Sequence, residues 1–145
     1  MGDSLDSSPE FSDFFFLAID HGFESIQDGS GPLIPFTLTL DREGKRSLTR
    51  FAADRLEKGV ELAKKSIDDQ RQHLKMYAIA WDGYITVDGQ KWDGILVEAG
   101  EEGKETGLLF CQRYVRKGKS WFTRGKNERF GNPALIGHPQ SRLSF

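Results

Sequence analysis

Apolar positions near the N-terminus repeat with a helical period. Phe16, Ile19, Phe23 and Ile26 recur at spacings of 3, 4 and 3, and Phe11, Phe15 and Ala18 add a second row on the same broad face. Ser7 and Glu10 have capping-box spacing, and Pro9 falls in the first turn, where a missing N–H costs little. Gly29, Gly31 and Pro32 supply a stop. A competing reading makes Phe14 to Asp20 a buried strand with a turn at His21-Gly22. Aromatic density favours that strand. Periodicity sustained over the whole stretch favours the helix, which is the expectation for residues 11–27.

From Leu33 to Asp41, Leu33, Pro35, Thr37 and Thr39 alternate with Ile34, Phe36, Leu38 and Leu40. That predicts a strand, and Pro35 places it at a sheet edge or marks its start. Asp41 to Lys45 is a polar loop. A second helical stripe follows between Ser47 and Lys75: Ala52, Leu56, Val60, Ala63, Ile67 and Leu74, at spacings of 4, 4, 3, 4 and 7. Such a helix would be about 40 Å long, and its far end would project toward a partner. Gly59 in its interior costs about 1 kcal/mol against Ala and marks close packing.

Three strands come next, at Met76 to Val87, Lys91 to Ala99 and Thr106 to Lys117. The first two are joined by Asp88-Gly89, a strong hairpin signal. Residues 118–145 are rich in Gly and Pro and read as an extended basic arm, anchored by Leu135, Ile136 and Leu143. Residues 1–7, rich in Ser and Asp, are expected to be mobile. The expected fold class is α+β: a two-layer sandwich in one domain, 1–145. An antiparallel sheet of about four strands, three of them the C-terminal meander, carries two packed helices.

Composition changes this picture little. A chain of 145 residues, 37% hydrophobic and 29% charged, buries enough surface to fold without disulfides or metal. No apolar run approaches the roughly 18 residues of a membrane span, so no membrane partner is expected. Met1 to Glu10 lacks the basic start of a secretory signal, which makes the cytoplasm the expected location. Cys111 is the only cysteine, so neither an intramolecular disulfide nor a thiolate zinc site is available.

Charge adds more. The net charge of −2 divides into about +7 over residues 112–145 and about −9 over the rest. The candidate binding residues lie in that basic stretch: Arg113, Arg116, Lys117, Lys119, Trp121, Arg124, Lys126 and Arg129. They interleave with Tyr114, Phe122 and Phe130, a mixture suited to phosphates and stacked bases of single-stranded nucleic acid. The same arm can instead lie on its own acidic body or on a second copy of it.

Catalytic signals are sparse. Trp81-Asp82-Gly83 recurs as Trp92-Asp93-Gly94, an offset of one hairpin leg rather than a repeat architecture. With a two-residue turn at Asp88-Gly89, Tyr84 pairs with Asp93, and Asp82 lies diagonally on the same face, roughly 7–8 Å away. Two such carboxylates suit a divalent cation or acid/base work. Asp-Gly pairs also mark bends and bulges in strands. The Glu-x-Lys of many nucleases is absent: Glu98-Ala99-Gly100 and Gln112-Arg113-Tyr114 stand in its possible places. His21, His73 and His138 have no metal-ligand spacing, Gly29-Ser30-Gly31 opens no phosphate loop, and Cys111 beside Leu109 and Phe110 reads as a buried thiol.

No catalytic residue, cofactor site or metal site is assigned. The leading expectation is a small cytoplasmic, non-enzymatic domain that works through protein–protein contacts, self-associating as a homo-oligomer or meeting another protein. The alternatives are a nucleic-acid binder using the arm and a metal-dependent hydrolase centred on Asp82 and Asp93.

Overall fold

The computed structural model describes residues 8–29, 31–116 and 126–145. The expectation for residues 1–7 lies outside them. Helix α1 (Pro9–Ile26) forms where periodicity placed it. Its N-cap is Ser8, one residue beyond Ser7. The Ser8 Oγ accepts from the Phe11 N–H at 3.1 Å and donates to the Glu101 carboxylate at 2.8 Å. The buried face runs through Phe11, Phe15, Ala18, Ile19, Gly22, Phe23 and Ile26, with Phe14 beside it. Phe16, which headed the expected stripe, is turned to the rim and is 42% exposed.

Strands β1 (Phe36–Asp41) and β2 (Arg46–Arg50) form a hairpin, with Phe36 opposite Arg50 and Leu40 opposite Arg46. Gly44 turns the chain at φ +87°. This corrects the long helix expected from Ser47 to Lys75. Its first residues alternate and ladder onto β1, with Leu48 packed toward the core. Helix α2 spans only Leu56–Gln70, about 22 Å, and leaves no projecting end. Ala63 and Ile67 of the stripe are buried, but Leu74 already opens the next strand. Gly59 does mark close packing: a Cβ there would run into the Phe51 carbonyl oxygen and meet Pro35 at 3.2 Å.

Strands β3 (Leu74–Val87), β4 (Gln90–Glu101) and β5 (Leu108–Val115) make the expected meander. Two short strands, β6 (Glu128–Arg129) and β7 (Ala134–Gly137), pair with different stretches of β5. Among the described residues the sheet has seven strands in the order β2-β1-β3-β4-β5-β6, with β7 beside β5. The expected four strands were too few because β2 lay inside the supposed helix and β6 and β7 inside the supposed arm. Nor is β1 an edge: it lies between β2 and β3, and Pro35 stands just before it.

The helices take opposite faces, so the α+β sandwich has three layers rather than two. Helix α1 packs on Met76, Ala78, Ala80, Ile95, Val97 and Ala99. Helix α2 packs with Leu143 on Leu74, Tyr77 and Ile79. From Met76 onward, even and odd positions of β3 therefore feed different cores; Leu74 lies beyond a register irregularity against β1. Of the expected arm anchors, Leu143 is buried, whereas Leu135 and Ile136 on the outer strand β7 are exposed. Among the described residues no helix is long and apolar enough to cross a membrane.

Candidate functional site

Strand β3 outlasts β1. The last pair between them is Phe36 with Ala80, and β3 continues to Val87. Asp88 and Gly89 both have positive φ, 51° and 79°, the conformation of a tight two-residue hairpin turn. In such a hairpin Val87 and Gln90 bond to each other, and so, by alternation, do Ile85 with Trp92 and Gly83 with Gly94. The N–H and C=O groups of Asp82, Tyr84 and Thr86 then point the other way. Among the described residues no strand pairs with them there.

Beside this free edge runs the first half of α2. Together they bound a groove of about 630 Å³, a size usual for ligand sites. Leu56, Val60 and Pro32 give it apolar walls, Trp81 and Gly83 one side of the strand edge, and Asp82, Tyr84 and Arg116 the other. Glu57, Glu61 and Lys64 add charge from α2. The Lys64 ammonium sits 5.2 Å from the Trp81 ring, and Lys91 lies 4.0 Å over Tyr84.

The two Trp-Asp-Gly segments are related across the facing pair Gly83 and Gly94. Trp81 and Trp92 share one face of the sheet; Asp82 and Asp93 share the other. The glycines leave room for neighbours: a Cβ on Gly83 would come 2.7 Å from Leu96 Cδ1, and one on Gly94 would run into Cys111 Sγ. Cys111 is buried, and burial pushes its thiol up to about 11.

The expected register holds, with Tyr84 opposite Asp93. The carboxylates converge on Arg116. Its Nε donates to Asp93 at 3.2 Å, and its guanidinium lies 3.8 Å from Asp82 and donates to the Tyr114 hydroxyl at 2.9 Å. Tyr114 in turn donates to Asp82 at 2.9 Å, and the Leu33 N–H donates to Asp82 at 3.2 Å. The positive charge between the two carboxylates thus comes from the protein itself. Among the described residues no group of three or more His, Cys, Asp or Glu side chains gathers as a metal site.

Burial raises the Asp82 carboxyl above its ordinary 3.8, against the pull of Tyr114, Leu33 and Arg116. A carboxyl raised in the native state binds its proton more tightly there than in the unfolded chain. Its share of the stability is present at low pH and is lost as pH rises from about 3.8 through the raised value. The stability of Asp82→Asn relative to wild type should therefore improve with rising pH across that window, then level off. Urea titrations of both proteins between pH 4 and 7 check this; a difference that stays flat or shrinks would contradict the assignment.

Among the described residues the basic candidates do not share one surface. Arg113 lies 4.9 Å from the Trp92 ring and 5.0 Å from that of Phe130, which stack on each other at 4.4 Å. Arg116, one residue past the end of β5, reaches the carboxylates on the other face of the sheet. Arg129 pairs with Asp20 at 2.7 Å and covers the Phe23 ring. Lys126 is exposed. Lys117, Lys119, Trp121 and Arg124 lie outside the described residues. His21 lies 3.2 Å from Arg50, and its ring meets Phe36 edge-on; His73 and His138 are exposed.

The α2 wall and the free edge escaped sequence reasoning. One signal was available: the strand expected over 33–41 is shorter than the one expected over 76–87, so the two could not pair along the full length of the longer. No protein-family model, no curated protein and no solved structure matches this chain.

Proposed function

We propose that this chain is a non-enzymatic binding module that takes up an extended polypeptide strand along the free edge of β3. One observation carries this reading. Among the described residues no strand pairs with the outward backbone groups of Asp82, Tyr84 and Thr86, which stand beside a groove walled by α2. Strand addition uses such an edge: main-chain hydrogen bonds give affinity, and alternate side chains enter neighbouring pockets. Natural sheets usually cover or charge a long free edge, so an open one flanked by Trp81 and Tyr84 suits a partner.

The other readings have less support. Arg113, Arg116, Arg129 and Arg142 are each engaged with acidic or aromatic side chains of the same chain, which leaves fewer free cations for a nucleic-acid backbone. Asp82 and Asp93 are engaged with Tyr114 and Arg116, which weighs against a hydrolytic centre. The shortened α2 removes the helix argument for self-association, although a second copy can also donate a strand.

Tyr84→Pro tests the reading. The Tyr84 N–H points out of the β3–β4 ladder, the residue is 63% exposed, and the preceding Gly83 tolerates a following proline. The variant should lose no more than about 1 kcal/mol of stability while blocking the edge. Peptides selected from a displayed library of random linear octamers on the wild-type chain should bind Tyr84→Pro at least about tenfold more weakly, the equivalent of one backbone hydrogen bond and a steric block. Binding to Tyr84→Ala should fall far less. Selection that yields no binder, or binders indifferent to Tyr84→Pro, would overturn strand uptake.

A further inference from the structure

We infer that the strand taken up carries two basic side chains at alternate positions, Lys or Arg at i and i+2, both facing α2. This rests on the strand-uptake reading and adds the chemistry of the partner. Ala63 and Ile67 pack with Leu74, Tyr77 and Ile79, whereas Leu56 and Val60 border Trp81 to Tyr84. Helix α2 therefore runs antiparallel to β3, and its first two turns stand beside the free edge. Glu57 and Glu61 both line the groove there. They are one helical turn apart, about 6 Å along the axis. Alternate residues of a strand are about 6.6–6.8 Å apart. Two successive same-face side chains of an incoming strand therefore meet the two carboxylates in step.

The charge balance of the groove favours cations. Its own positive groups are engaged: Lys64 with the Trp81 ring, Arg116 with Asp93 and the Tyr114 hydroxyl. Glu57 makes no hydrogen bond or ion pair among the described residues. Glu61 meets Lys58 only at 3.8 Å, with both side chains more than half exposed. Leu56, 39% exposed, and Trp81 offer apolar surface on which the methylene stem of a Lys or Arg can lie. The partner is accordingly an extended basic polypeptide segment, and a polyanion is disfavoured at this wall.

Three labelled octapeptides of alternating Thr and Val separate the possibilities: one with Lys at positions 3 and 5, one with Ser there, one with Glu. Fluorescence anisotropy against the full chain should rank them Lys, Ser, Glu. Lys should bind about fivefold tighter than Ser, as two exposed ion pairs allow. That preference should fall below about twofold at 0.5 M salt, where the screening length is a few ångströms. Glu57→Lys with Glu61→Lys should reverse the order, and both positions are exposed enough to leave the fold intact. Equal binding of all three peptides, lost with Tyr84→Pro, would overturn the charge preference and leave strand uptake standing. No binding by any of them would overturn the preference, and together with a failed library selection it would overturn strand uptake as well. A dimer in light scattering that Tyr84→Pro dissolves would overturn the basic peptide in favour of a second copy.

Discussion

Phe15→Ala is expected to lower stability by about 3–5 kcal/mol, the usual cost of emptying an aromatic site in a packed core. Phe15 is 4% exposed on the inner face of α1. Its ring stacks on Phe110 of β5 at 4.6 Å and meets Phe11 edge-on at 5.3 Å. Those contacts join the first helix to the far side of the meander, so the loss falls on a joint between distant parts of the chain. Collapse into the space is limited. Phe110 is held in the β4–β5 ladder, and α1 sits close to the sheet at Gly22, where a Cβ would come 3.1 Å from Ile95. The adjacent Phe16 is the control. It also touches Phe15 and Phe110, but it lies on the rim, and Phe16→Ala should cost less than about 1.5 kcal/mol. Urea unfolding of both variants checks the pair. A Phe16→Ala loss equal to that of Phe15→Ala would mean that the helix buries a different face.

The same face shows what the sequence could reveal. Two rows of apolar residues sustained over more than four turns favour a helix over the competing strand at Phe14 to Asp20, and α1 forms there despite its aromatic density. The second helix was overextended because Ala52 and Leu74 fit a helical spacing by coincidence, and its start was placed at Ser47, inside β2. Short apolar alternations fit either period, and the ladder to β1 decided the matter. The third layer had a visible signal. From Met76 to Ala80 every residue is apolar, with no polar alternate, the pattern of a strand covered on both faces. A sheet with both helices on one side would show polar residues at every second position there.

The site was legible only where local chemistry governs it. Asp88-Gly89 sets the hairpin register, and the register puts Asp82 and Asp93 on one face. Arg116 joins them from the end of β5, whose register depends on the longer connection between Glu101 and Leu108 and cannot be read locally. The free edge depends on where β1 stops against β3, a tertiary fact. The charge asymmetry was visible, and among the described residues three of its cations meet acids of the same chain. Arg116 finds Asp93, Arg129 finds Asp20, and Arg142 finds Asp68, each pair uniting the basic C-terminal stretch with the acidic body.

The last of these pairs leads to the second large effect. Arg142→Ala is expected to cost about 2–4 kcal/mol, because it strands a buried carboxylate. The Arg142 Nε donates to Glu98 at 3.1 Å, and its Nη1 donates to Asp68 at 3.0 Å. Glu98 is buried and also accepts from the Tyr77 hydroxyl at 2.7 Å; the Arg142 N–H donates to that hydroxyl at 3.2 Å. Burial and the neighbouring Glu98 together push the Tyr77 phenol well above its ordinary value, so it stays a donor at any working pH. Without the guanidinium, Glu98 keeps one neutral donor for a full charge. Glu98→Gln in the Arg142→Ala background should therefore recover about half of the loss, whereas Asp68→Ala, removing a half-exposed partner, should cost less than about 1 kcal/mol. Equal losses for Arg142→Ala and Asp68→Ala, with no rescue by glutamine, would place the energy in surface pairing instead. The consequence reaches the groove. Asp68 belongs to α2, and Leu143, next to Arg142, packs on Ala63 and Ile67. One arginine thus ties the wall of the proposed strand site to β4, and its loss should weaken peptide uptake by loosening α2 while leaving the edge of β3 unchanged.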